Sequence, residues 1–231
     1  MFNIDTRSVT FNLIVINVLV FITSQFVGEK MYDMFALYYP ANPNFKPIQL
    51  VTHMFMHGNW IPQLRNLSIT HIFSNMFGLL MFGPALEQVW GARRFLFFYL
   101  FSGFGAVALH LGVQAFIIWK ATGTVAPSVE ELQMYHAAAA EFFVPTVGAS
   151  GAIFGILTGF GLLNPNAELI MFPIPIPIKA KFMVIIYAVI ELTMGIAAIP
   201  GDNVAHYAHL GGALFGFILI KIWGRNRFQR Y

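Results

Sequence analysis

VGASGAIFG, residues 147–155, carries one hydroxyl, Ser150, among small and apolar side chains. The rest of the chain says what surrounds it. Of 231 residues, 58% are hydrophobic and 10% charged, whereas charged residues make up about a quarter of a soluble domain. Such a chain has too little polar surface to cover itself in water, so the stretch belongs to a helix in a bilayer. A serine there commonly bonds back to the carbonyl one turn earlier. Whether Ser150 does more depends on which polar residues lie at its depth.

The absence of cysteine excludes disulfides, thiolate catalysis and Cys-ligated metals, and it leaves the redox compartment open. The net charge of +3 reads as cytoplasmic anchoring charge rather than as a nucleic-acid surface. The first apolar segment is too long for a signal-peptide core and is followed by no small-residue cleavage site, so it is read as a retained span.

A helix needs ~20 mostly apolar residues to cross the hydrocarbon core. Six stretches qualify, about 9–27, 67–86, 95–119, 145–163, 182–199 and 204–223. They predict an all-α, polytopic membrane protein: a six-transmembrane-helix bundle forming a single membrane domain over 1–231. Two connections are long, about 28–66 and 120–144. The PIPIPIK run at 173–179 cannot be helical, because alternate prolines lack the N–H, and it reads as a stiff extended connector. The inverted repeats and broken helices of a transporter are not found.

With six spans both termini share a side. That side holds Arg7, Arg93, Arg94, Lys179, Lys181, Lys221, Arg225, Arg227 and Arg230, nine of the thirteen Lys and Arg. The other side holds Lys30, Lys46, Arg65 and Lys120. An excess of these residues marks the cytoplasmic side, so both termini are expected in the cytoplasm. Spans 2, 4 and 6 then run inward from the outer surface.

Ser150 lies about five residues into span 4, His209 about five into span 6 and His71 about four into span 2. At ~1.5 Å per residue all three sit some 6–9 Å below the outer surface. Asn75 follows His71 on the same face, one turn deeper. Strongly polar groups in a membrane are costly and suggest function. Together these residues offer a nucleophile and candidates for a base and for oxyanion donors: a histidine with ordinary pKa ~6.5 can take a serine proton. The Ser150 N–H, near a helix start, favours negative charge. No carboxylate occupies this level in these three spans, which predicts a Ser–His dyad rather than a triad. Gly148, Gly151, Gly155 and Gly159 stripe span 4, and Gly212 with Gly216 forms a GxxxG in span 6. Small residues let helix backbones approach closely, which would bring His209 within reach of Ser150.

GASG at 148–151, HIFSN at 71–75 and AHLGGALFG at 208–216 resemble the rhomboid family of intramembrane serine proteases. The resemblance implies Ser150 as nucleophile and His209 as general base, with His71, Asn75 and the Ser150 N–H as oxyanion stabilisers. It places Phe154 where an aromatic ring stacks on the histidine. It implies a serine endopeptidase that needs no cofactor or metal and cleaves single-span membrane proteins near the outer surface. Substrate would enter sideways past span 5 and the loop at 200–203. The expected location is a bacterial inner (plasma) membrane. The alternative is a catalytically inactive relative that binds transmembrane segments. The sequence departs from the family pattern at FKPIQLVTHMFMH (45–57), which lacks a Trp-Arg pair, and at the insertion WIPQLRNLSIT (60–70).

Other polar residues have quieter readings. His206 rivals His209 as base, but Gly212 and Gly216 follow His209 in the family spacing. His53 and His57, at i and i+4, read as loop-stabilising hydrogen-bond groups more readily than as metal ligands, since no third ligand is obvious. Glu191, inside span 5, reads as neutral or paired, with a role in gating the weaker reading. His110 and His136 carry no motif. On this orientation, a substrate of known topology should be cut in the outer half of its span, as read by mass spectrometry of the fragments. A cut in the cytoplasmic half would overturn both orientation and depth.

Overall fold

In a computed structural model, residues 6–58, 65–170, 176–197 and 205–224 are described, with backbone alone at 65–68. In chain order the helices are α1 (Val9–Val27), α2 (Glu29–Phe35), α3 (Gln49–Thr52), which runs into a 3-10 turn at His53–Phe55, and α4 (Arg65–Trp90). Then follow α5 (Ala92–Thr122), α6 (Val129–Leu132), α7 (His136–Phe143), α8 (Ser150–Leu163), α9 (Ala180–Ala197) and α10 (His206–Trp223). The protein is an all-α membrane protein. Helices α1, α4, α5, α8, α9 and α10 stand at the six predicted stretches. Four of them, α1, α4 from Ile69, α5 and α9, are long and apolar enough to cross a membrane by length and composition. The long connections are not plain loops but carry α2, α3, α6 and α7. A small hairpin pairs β1 (Glu168–Ile170) antiparallel with β2 (Pro177–Lys179), so the end of the Pro-Ile run is extended as expected. Residues 171–175 of that region, and the loop at 200–203 assigned to substrate entry, lie outside the described residues.

The fourth stretch is corrected at its start. The helix begins at Ser150 rather than near 145. Thr146 pairs with Leu37 through N–H···O bonds of 2.8 and 2.9 Å, and Gly148 N–H donates to the His53 carbonyl at 2.9 Å. Backbone groups that a helix would use are therefore taken by the first connection. Ser150 is the first residue of its helix, not the fifth. At ~1.5 Å rise per residue, a 14-residue α8 is about 21 Å long, against ~30 Å for the hydrocarbon core.

Helix α8 is central. Gly151, Ala152, Ile153, Gly155, Ile156, Leu157 and Thr158 are all buried, as befits a helix that is apolar all round. Its glycines let α10 lie against it. A Cβ on Gly212 would collide with the carbonyl of Gly151, and one on Gly216 would come 2.9 Å from Gly155 Cα. By contrast α9 exposes Phe182, Ile185, Val189 and Ile196 on the face expected to meet lipid. At the far end Glu87 of α4 caps α1, its two carboxylate oxygens accepting from the N–H groups of Val9 and Thr10 at 2.7 and 2.9 Å.

The glycines are therefore not equivalent. Gly212→Ala should lower the melting temperature in detergent, by overpacking worth about 1–3 kcal/mol. Gly112→Ala in α5, where an added Cβ meets nothing within 4 Å, should not lower it. Equal melting temperatures for the two variants would show that the α8–α10 contact is not tight.

Candidate active site

Ser150 opens α8 and His209 lies in the first turn of α10. The glycine contact brings them together, and His209 Nε2 stands 2.8 Å from Ser150 Oγ. Phe154, one turn further along α8, stacks on the His209 ring with 4.3 Å between centroids and 6° between planes. Tyr187 of α9 meets Phe154 edge-on at 6.0 Å. The imidazole is thereby held in one plane. A hydroxyl bonded to a ring nitrogen in this way has the geometry in which a base can activate a nucleophile.

His71, on α4, faces the same place. The Gly58 N–H donates to His71 Nδ1 at 3.2 Å. A ring nitrogen that accepts carries no proton in neutral imidazole, so the proton sits on Nε2, which becomes a donor. A Cβ on Gly148 would lie 3.0 Å from His71 Nε2 and 3.5 Å from Ser150 Oγ. Glycine at 148, with φ +131, both allows this backbone and keeps the space between the two groups open. A gap flanked by a hydroxyl and an N–H donor has room and polarity for a small anionic oxygen. Asn75 differs from His71: its Nδ2 donates to the His71 backbone carbonyl at 2.8 Å. One amide hydrogen is thus spent within its own helix.

Glu191 reaches this cluster from α9. Its Oε2 accepts from His206 Nδ1 at 2.6 Å and lies 3.0 Å from His209 Nδ1. The second contact is close but off the line of the ring N–H, so His209 Nδ1 has no aligned hydrogen-bond partner. The expectation that no carboxylate stands at this level counted spans 2, 4 and 6; the carboxylate comes from the fifth stretch. Donor atoms of Glu191, His206 and His209 lie within 4.8 Å of one another, the spacing of a potential divalent-ion site.

The first connection supports the strand leading to Ser150. Gln49 organises it, with Oε1 accepting from Lys46 N–H at 3.1 Å and Nε2 donating to the carbonyls of Asn44 and Asp33 at 2.9 and 3.2 Å. His53 Nδ1–H donates to the Gln49 carbonyl at 2.7 Å. His57 Nε2–H donates to Asn17 Oδ1 of α1 at 2.7 Å. The two histidines therefore serve separate partners. On the other side His110 Nε2 bonds Thr146 Oγ1 at 2.7 Å. Asn17, Gln49 and Thr146 were not singled out in the sequence, where nothing local marks them. Burial pushes His53 down to about 4, and burial with the neighbouring His71 ring pushes His57 down to about 3.

A family model described as the rhomboid domain matches residues 44–226. The chain belongs to the rhomboid family. Among relatives of this rhomboid, Rhomboid protein 1, mitochondrial, of Saccharomyces cerevisiae is 30% identical over 148 residues, covering 64% of this chain and 36% of the relative. RHOMBOID-like protein 12, mitochondrial, of Arabidopsis thaliana is 27% identical over 234 residues, covering 99% and 61%. Rhomboid protease GluP of Bacillus subtilis is 28% identical over 175 residues, covering 74% and 27%. The chain thus spans less than two thirds of the length of each.

The buried histidines of the first connection give this rhomboid a sensitivity to acid. An unfolded histidine protonates near pH 6.5, whereas His53 and His57 in the fold stay neutral to about 4 and about 3. The unfolded chain therefore binds more protons as pH falls through this window, so stability is full above 6.5 and declines below it. The melting temperature should drop between pH 6.5 and 4, and less steeply in His57→Gln. An identical slope in the variant would remove His57 from the cause.

Proposed function

We propose that this rhomboid is an intramembrane serine endopeptidase working through Ser150 and His209. The observation that carries the reading is the 2.8 Å contact between Ser150 Oγ and His209 Nε2. Oγ attacks the scissile carbonyl carbon as its proton passes to Nε2. The tetrahedral intermediate places its negative oxygen between the Ser150 N–H and His71 Nε2–H, with the second amide hydrogen of Asn75 as a further donor; one such donor is often worth about 3 kcal/mol. Collapse breaks the C–N bond, and the proton on Nε2 goes to the leaving amine. Water, deprotonated by the same nitrogen, then releases the acyl group. The name of the Bacillus subtilis relative, a rhomboid protease, supports the same chemistry.

On this reading α1, α4, α5, α8, α9 and α10 all cross the bilayer as one membrane domain, with both termini on the cytoplasmic side. The substrates are single-span membrane proteins, entering from the lipid beside α9 and cut near the outer surface. The short α8 supports that depth, since a helix ~10 Å shorter than the ~30 Å core leaves its first residue accessible to water from one side. The bacterial plasma membrane expected from the sequence has no support in the comparisons, which include mitochondrial relatives. What the lysines and arginines carry is orientation.

Ser150→Ala and His209→Ala should each lower cleavage of a model transmembrane substrate by at least about 10³-fold, while the proteins stay folded. A fluorophosphonate should label the wild-type chain and not Ser150→Ala. Cleavage by Ser150→Ala at near the wild-type rate would rule out this nucleophile. A folded wild-type chain that neither reacts nor cleaves, yet binds transmembrane segments, would be an inactive relative instead.

A further inference from the structure

We propose that Glu191 is a positioning residue for the base: from α9 it holds His209 in the tautomer with the proton on Nδ1 and the ring turned toward Ser150, while His206 anchors the carboxylate. The inference rests on the protease reading above and deepens it, replacing a bare dyad with a line of three groups.

The tautomer is the point of need. For Nε2 to accept the Ser150 proton it must be unprotonated, so the neutral ring carries its proton on Nδ1. That nitrogen is buried, and a buried N–H requires an acceptor. Glu191 Oε2, 3.0 Å away, is the acceptor at hand. The terminal torsion of a glutamate is broad, so a small rotation brings a carboxylate oxygen onto the N–H line. Catalytic hydrogen bonds are often poorly aligned before substrate binds.

Two further observations point the same way. Glu191 is 8% exposed on a helix whose outer face is apolar, and a buried carboxylate without partners is costly. His206 Nδ1, at 2.6 Å, occupies one lone pair of Oε2 and leaves the rest for His209. One turn earlier on α9, Tyr187 abuts Phe154, the ring stacked on His209. Helix α9 therefore presents two consecutive inward side chains to the base, one through a ring and one through a charge. When Nε2 takes the serine proton, the imidazolium gains the adjacent carboxylate, and the Nδ1 proton stays where it is.

The test is kinetic. Glu191→Gln keeps the volume but offers an amide donor that favours the wrong tautomer, and it should lower kcat roughly 10²-fold with KM within twofold. Glu191→Asp should recover part of that loss, and His206→Ala should lower kcat by only a few-fold. EDTA should leave the wild-type rate unchanged. A kcat for Glu191→Gln within twofold of wild type, with Ser150→Ala dead, would leave the dyad standing and remove Glu191. Equal losses in the Gln and Asp variants, or loss of activity in EDTA, would also overturn the proposal. The wild-type chain tests it without any variant: in the 15N spectrum of histidine-labelled protein, the signal absent from His209→Asn should report a proton on Nδ1. A proton on Nε2 would sink the proposal.

Discussion

Close approach of two helix backbones governs this molecule. Gly212 of α10 lies so near the carbonyl of Gly151 that no side chain fits between. In a bilayer, lipid tails are as apolar as leucine, so helices associate by packing and polar contacts rather than by escape from water. Removing side chains from one face of α8 and one face of α10 allows contact at backbone range. The side chains at the end of that seam, Ser150 and His209, then meet at hydrogen-bond distance without reaching. The proposed chemistry follows from the packing.

A second constraint acts on the chain just before Ser150. Backbone amides and carbonyls in a membrane must be satisfied inside the protein, and residues 146–149 have left the helix. The first connection supplies what they need: Leu37 pairs with Thr146 and the His53 carbonyl with Gly148. The buried Gln49, His53 and His57 keep that connection in shape through bonds to loop carbonyls and to Asn17. Segments far apart in sequence thus cooperate to hold a few residues in an extended path, and that path leaves the Ser150 N–H at the first turn of a helix rather than inside one.

Helices α1, α4, α5 and α9 were legible because bilayer thickness imposes a length that hydropathy reports directly, and α8 and α10 because they too fall in apolar stretches. The glycine stripe was legible because GxxxG places two small residues on one face. The start of α8 was not: nothing in residues 145–149 marks a break from the apolar stretch they belong to, and only the pairing of Thr146 with Leu37, over a hundred residues away, shows that the helix has not yet begun there. Glu191 stood out as a carboxylate within an apolar stretch, but nothing local could tell which histidines it would meet. The partnership of His57 with Asn17, forty residues apart, was invisible for the same reason. Helical spacing relates residues within one helix, and the contacts around Ser150 run between helices.

Helix α9 turns an apolar face outward and carries Glu191 on the opposite one. If substrate enters beside α9 as proposed, a sideways displacement of α9 wide enough to admit another helix would draw the carboxylate away from both His206 and His209. On that reading, admission of a polypeptide and readiness of the imidazole would not coincide. An opened gate would have a slack base, and the base would become taut only once α9 had swung back around its guest. On the proposed route α9 would act as an interlock, and a transmembrane segment that merely brushes past would leave uncut.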